Sequence, residues 1–381
     1  MDFTYDEEQV ALRDAVRGLL GTSYSDFENR RRAVTAEPGF DERVWSRLAE
    51  MGVLGLPFAE EHGGAGAGPV EVAIVAQELG RVLAPEPFLT SVVLAGGVVA
   101  AVGTDEQRTE MLQALASGTS VLAFAHSEPG SRWGGSAVAV AASAVGDDWT
   151  VSGVKEPVPH GARADVLVVS AALPGGGTGL FVVPADAPGL CRTGYRTHDG
   201  GRAARLSFDR TPAVPLGSPA TDHTASVARA VDAARIVAAN EAVGVMRFAL
   251  SATTDYLRSR QQFGVPLRTF QALTFRAADM YVSLELATSV ATWAAMVLAT
   301  GSAEEVADAA AHASLQAGRA GRHIGQEAIQ LHGGIAMTAE FSVGSYTSHL
   351  TALDHLFGDG RFHVSALARA VGDHGELDPL R

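Results

Sequence analysis

The stretch AARIVAANEAVGVMRFALSATTDYLRSRQQFG, residues 233–264, reads as one long helix running into a turn. Its first half is mostly Ala, Val, Ile and Met, and one carboxylate, Glu241, interrupts that apolar run. The neighbours of Glu241 at helical spacing are Val237, Ala238, Gly244 and Val245. None of them can pair with it, so a surface ion pair within the helix is excluded. A carboxylate on an apolar helix face costs free energy unless something compensates it. Two readings follow. Glu241 is a general base, with a pKa raised if it is buried, or it meets an arginine from another segment.

Working outward, the chain has 381 residues, 47% hydrophobic and only 19% charged, enough apolar material for two or three domains sharing a large core. No uninterrupted apolar run reaches the roughly 18 residues needed to span a bilayer, and the longest candidate, residues 284–298, is broken by Glu285 and by Ser and Thr. The opening MDFTYDEEQ is acidic and lacks the basic region of a signal peptide, so the expected compartment is the cytoplasm, without a membrane partner. A single cysteine, Cys191, excludes an internal disulfide framework and a multi-cysteine metal site. The formal charge of −14 argues against a nucleic-acid surface.

Helical spacing predicts helices at about 7–20, 41–51, 69–83, 86–102 and 105–116, with a glycine-rich turn segment at 52–68. The composition changes near Gly118. Short apolar runs such as DVLVVSAAL and GLFVVPA, separated by turns such as PGGGTG and HDGGR, predict a β-sandwich or barrel to about Pro215. No G-x-G-x-x-G occurs in a strand–helix setting, which disfavours a Rossmann site. Helices return at about 222–258, 268–298, 303–331 and 348–371, a four-helix bundle. The fold class is therefore α+β: an N-terminal helical domain (1–118), a central β domain (119–218) and a C-terminal helical bundle (219–381).

This order resembles the acyl-CoA dehydrogenase family, and the resemblance covers almost the whole chain. GLPFAEEHGGAG is similar to the family's first-domain loop, AFAHSEPG and WTVSGVKEPVPHGARADVLVVSA to its β-domain strand pairs, YLRSRQQFGVPLRTFQAL to its R-x-x-F-G turn and following glutamine, and AIQLHGGIAMTAE to its Q-x-x-G-G segment. The resemblance implies FAD as cofactor. It puts Arg260, with Gln330, Gly333 and Gly334, at the FAD of a neighbouring subunit, hence a homodimer or tetramer, or a heterotetramer with a paralogous subunit, and it counts Phe263, an aromatic surface for a nucleotide ring, and Gln271 among the cofactor-binding residues. A guanidinium suits a diphosphate because it donates bidentately, but an arginine at a helix C-terminus is also favoured by the helix dipole alone. Likewise, Gly333 and Gly334 let backbone approach a cofactor or simply cap a helix. In the β domain Ser127 matches the family's turn beside the flavin. The chain departs after it, at Arg132 and Trp133, and again at Glu156–Pro159. Trp133 stacks near flavin and acyl group or fills a core.

The base is the largest departure. Many members carry a catalytic glutamate where this chain has Phe357, and others at the position of Ala234. Glu241 lies seven residues beyond Ala234, on the same helix face and about 10 Å further along. Asp354 and Asp359 are rival carboxylates, Asp359 reading as a cap or a solvated group. The implied reaction is α,β-dehydrogenation of an acyl-CoA thioester to the 2-enoyl-CoA, with electrons passed to an electron-transferring flavoprotein. The alternatives are a partner subunit with an incomplete flavin site, an acyl-CoA oxidase-like flavoenzyme, and a non-enzymatic binding member of the fold.

Overall fold

Asp6 opens the first helix: its carboxylate accepts from the Gln9 N–H while the Gln9 side chain accepts from the Asp6 N–H. The computed structural model describes residues 4–146 and 148–371. It begins with α1 (Glu7–Tyr24), α2 (Phe27–Thr35), α3 (Glu42–Glu50), α4 (Pro69–Val82), α5 (Phe88–Val102) and α6 (Asp105–Ala116). The charged sequence FENRRRAVT hid α2 from the periodicity argument. It forms because Asp26 caps it and because buried Arg30 donates from Nε to the Leu83 carbonyl at 2.8 Å.

Seven strands follow: β1 (Leu122–Ala125), β2 (Ala141–Val145), β3 (Asp148–Pro159), β4 (Val166–Ala172), β5 (Thr178–Pro184), β6 (Leu190–Arg196) and β7 (Arg202–Pro215). The ladder β4–β2–β3–β7–β5 returns to β4, closing a barrel, while β6 pairs with β7 outside this ring. Lys155, the chain's only lysine, is fully buried within it. Its ammonium donates to Glu128 Oε1 at 2.9 Å, the His126 carbonyl at 2.9 Å and Ser170 Oγ at 3.0 Å.

The C-terminal part contains α7 (Thr224–Ser259), a small hairpin of β8 (Gln261–Gln262) and β9 (Val265–Pro266), then α8 (Gln271–Thr300), α9 (Ala303–His332), α10 (Val343–Leu356) and α11 (Gly360–Ala370). The helix expected at 348–371 is thus two helices. Gly358 has φ +138° and Asp359 caps α11 by accepting from the Phe362 N–H at 2.9 Å, so the chain turns there. By length and mean hydropathy α8 is apolar enough to cross a membrane, although Glu285 and its Ser and Thr residues break the run; it packs along α7 and α9.

The crossing of α4 with α7 positions Glu241. A Cβ on Gly244 would come within 1.9 Å of the Gln77 carbonyl oxygen, and one on Gly80 within 2.2 Å of the Glu241 carbonyl oxygen. Both helices therefore need glycine at the crossing. Gln77 Nε2 donates to Asn240 Oδ1 at 2.9 Å, and Asn240 Nδ2 to the Ala291 carbonyl at 3.1 Å, which fixes the rotation of α7 one residue before Glu241.

Candidate active site

Glu241 does not meet an arginine. His349, on α10, lies between it and Asp199, which sits in the β6–β7 turn. His349 Nε2 is 2.8 Å from Glu241 Oε1, and Nδ1 is 2.8 Å from Asp199 Oδ2. Two nitrogens facing two carboxylates require the imidazolium, since only that form donates from both. Burial works against the charge, but the hydrogen bonds and charges of Asp199 and Glu241 outweigh it and push the His349 pKa up to about 9. Burial would raise Asp199, yet its bonds to His349, Thr197 and the Gly201 N–H hold it well below the usual carboxylate range. Glu241 Oε2 makes no hydrogen bond among the described residues. The compensating group that Glu241 demands was predictable, but its identity came from a residue over 100 positions away with no helical spacing to reveal it.

A raised histidine pKa stabilises the fold below the unfolded value and loses that contribution as pH climbs through the folded value. The His349 contribution is accordingly present at pH 6.5 and lost through about pH 9. Urea unfolding of the protein and of its His349→Gln variant should show the stability gap narrowing across that window; a constant gap refutes the charged assignment.

Two cavities meet at this place. The first, about 300 Å³, is lined by Glu241, His349 and Asp199 together with Arg30, Glu86, Thr90 and His160. The second, about 310 Å³, is lined by Ser127, Trp133, Phe124, His126, Arg235 and Phe357. Pro157, Pro159 and Leu356 belong to both walls. Trp133 has φ +46°, donates from its indole N–H to the His355 carbonyl at 2.9 Å, and packs against Phe362 with ring centroids 5.7 Å apart. It is neither a core tryptophan nor free, but a wall between the β domain and the α10–α11 corner. Phe357 lies in the second cavity, its carbonyl accepting from Arg235 Nε at 2.9 Å. Ala234 is buried. Asp359 is the α11 cap already described, and Asp354 lies within 3.4 Å of Arg322.

The other candidate residues cluster elsewhere. Arg260 ends α7, 19 residues and about 28 Å beyond Glu241 at 1.5 Å per residue. Phe263, at φ +54°, is 91% exposed on the hairpin tip. Gln271 starts α8 and is exposed. Tyr256, one turn before Arg260, packs on His332 with ring centroids 4.6 Å apart, which brings exposed Gln330, Gly333 and Gly334 to the same end of the bundle. One chain thus holds Ser127 and Trp133 near Glu241, and the remaining six residues far from it.

The acyl-CoA dehydrogenase N-terminal domain family matches residues 6–119, and its C-terminal domain family matches residues 224–372. The acyl-CoA dehydrogenase FadE12 of Mycobacterium tuberculosis is 30% identical over 90% of this chain and 90% of its own length. The chain belongs to the acyl-CoA dehydrogenase family. It is an oxidoreductase acting on acyl-CoA, a flavoprotein whose cofactor is FAD. A variant of the Tcur3481-Tcur3483 steroid ACAD superposes with a TM-score of 0.87 at 32% identity, covering 97% of this chain and 98% of that one. A chain of the ChsE4-ChsE5 complex from Mycobacterium tuberculosis gives 0.87 at 27% identity, covering 98% and 99%. The acyl-CoA dehydrogenase chain described here fits a flat heteroaromatic ring by its chemistry: the second cavity combines aromatic walls (Phe124, Trp133, Phe362) with polar groups at Ser127 and His126.

Proposed function

We propose that Glu241 is the base that takes the α-proton of an acyl-CoA thioester, making the protein an α,β-dehydrogenase that forms the 2-enoyl-CoA. The observation that carries this reading is the pair of cavities sharing Pro157, Pro159 and Leu356, with Glu241 on the first and Ser127 and Trp133 on the second. FAD, when bound, supplies the acceptor for the β-hydrogen. Ser127 and Trp133 hold it from this chain, and Arg260, Phe263, Gln271, Gln330, Gly333 and Gly334 hold the FAD of an adjoining subunit. Glu241 offers Oε2 to the substrate, while His349 holds Oε1 and orients the carboxylate. The domains are 1–118, 119–218 and 219–381. The electron acceptor in this reading is an electron-transferring flavoprotein, and the compartment is the cytoplasm.

Arg260 lies about 28 Å from Glu241 along α7, so in this reading a complete cofactor site takes a second chain, either a copy or a paralogue. Exposed Phe263, Phe275, Tyr281, Val282 and Leu286 give the apolar surface such a chain would cover. The experiment is the visible spectrum of the protein expressed alone, with its mass by light scattering. Flavin absorbance in a dimer or tetramer supports a self-complete site. A flavin-free protein that gains flavin only with a paralogue supports the heteromer, and a protein that takes up no flavin in either setting refutes the reading. Arg260→Ala should cut FAD occupancy roughly ten- to hundredfold, the cost of a charge-assisted bond.

A further inference from the structure

Glu86, in the segment joining α4 to α5, is 6% exposed and lines the same cavity as Glu241. Its Oε1 accepts from the Tyr24 hydroxyl at 2.5 Å and from the Asp41 N–H at 3.3 Å. Its Oε2 is buried and has no partner among the described residues. A buried oxygen left without a hydrogen-bond partner is unfavourable, so it calls for a hydrogen-bonding group from outside the chain. The other wall residue with an orphaned atom, Arg202, has that Nε packed against Gly39, and its guanidinium donates to the Thr35 and Ala36 carbonyls. His160 is hydrogen-bonded to Thr90 at 2.9 Å. Around Glu86 the wall presents Leu79, Leu83, Phe88 and Leu89, and the nearby Arg30 guanidinium, whose charge Glu86 feels, is already engaged by the Leu83 and Asp199 carbonyls.

We propose that Glu86 is a specificity residue that binds one uncharged oxygen function, a hydroxyl or a ketone, on the acyl chain beyond its β-carbon. This rests on the cavity being the acyl-CoA site. Burial pushes Glu86 up to about 7, so near neutral pH it exchanges between two useful states. With Oε1 already accepting two donors, the proton of the acid form sits on Oε2 and donates to a ketone. The carboxylate form accepts from a hydroxyl. An anionic tail meets a like charge in the second state and finds no compensating gain in the first. A plain alkyl chain leaves Oε2 unpaired.

Dissociation constants of the FAD-loaded protein, by calorimetry, test this with octanoyl-CoA, a series bearing one hydroxyl or keto group at each carbon beyond the β position, and suberyl-CoA with its terminal carboxylate. At least one hydroxy or keto member should bind roughly ten- to hundredfold more tightly than octanoyl-CoA. Glu86→Leu should abolish that preference. Glu86→Gln, which keeps the partners of Tyr24 and a donor in place of Oε2, should retain the keto preference and guards against a folding defect. Equal binding across the series, or tightest binding of suberyl-CoA, overturns the proposal while leaving the acyl-CoA site intact. Absence of binding by every acyl-CoA overturns both. Preference in binding without turnover supports the Glu86 site and refutes only the base.

Discussion

Glu241→Gln should lower the dehydrogenation rate on the order of 10²- to 10⁴-fold, the usual loss when a positioned general base is removed. The fold should survive, because the amide oxygen still accepts from His349 Nε2 and the crossing at Gly80 and Gly244 is untouched. FAD content should be unchanged, since Glu241 does not line the cavity of Ser127 and Trp133. The loss should appear in kcat more than in substrate affinity, because the α-proton moves only in the transition state. Asp199→Asn should behave differently. It leaves the base in place but removes one anion from His349, so it should shift the pH profile rather than abolish turnover. A Glu241→Gln enzyme with ordinary kcat would transfer the role to another carboxylate.

Lys155→Met should destabilise the protein by about 3–5 kcal/mol, the typical cost of leaving one member of a buried ion pair uncompensated. Glu128 is nearly fully buried and accepts from the Val138, Ala139 and Val140 N–H groups as well as from Lys155. Burial would raise its pKa, yet the Lys155 bond and the backbone donors hold it down. The same burial lowers Lys155 to about 8, with Glu128 opposing the shift. The pair ties β3 to the turn that follows Ser127, so the variant should loosen that turn as well as the barrel. Urea unfolding of the single variants and of Lys155→Met with Glu128→Gln separates the two effects. The double variant should recover much of the loss, whereas additive losses would show that the two side chains act independently.

Much of this was readable in the residues, for identifiable reasons. The α–β–α order follows from long helical periodicities flanking short apolar runs, and both survive folding because each segment buries its own face. Glu241 stood out because an apolar helix cannot carry a lone carboxylate. What could not be read depended on contacts distant in sequence. Nothing near Glu241 names His349, and nothing near His349 names Asp199; the β6–β7 turn and α10 meet only in the folded chain. Lys155 likewise had no visible partner, because Glu128 lies 27 residues away across the barrel. The α2 helix was hidden by charge, and the break at Phe357–Asp359 by a Gly-Asp pair that the helical period ran through. The residues expected at the cofactor divide between two ends of α7, a division that periodicity along one helix makes plain.

In the proposed reaction Glu241 itself removes the α-proton. That role can be isolated with the FAD-loaded protein in D₂O and 3,3-dimethylbutyryl-CoA, which has α but no β hydrogens. Deuterium entering the α position is followed by NMR, so the proton step is read without any redox step. The wild-type protein should exchange the α-hydrogens, and Glu241→Gln should exchange them at about 1% of that rate or less. Exchange by Glu241→Gln at the wild-type rate would rule out Glu241 as the base.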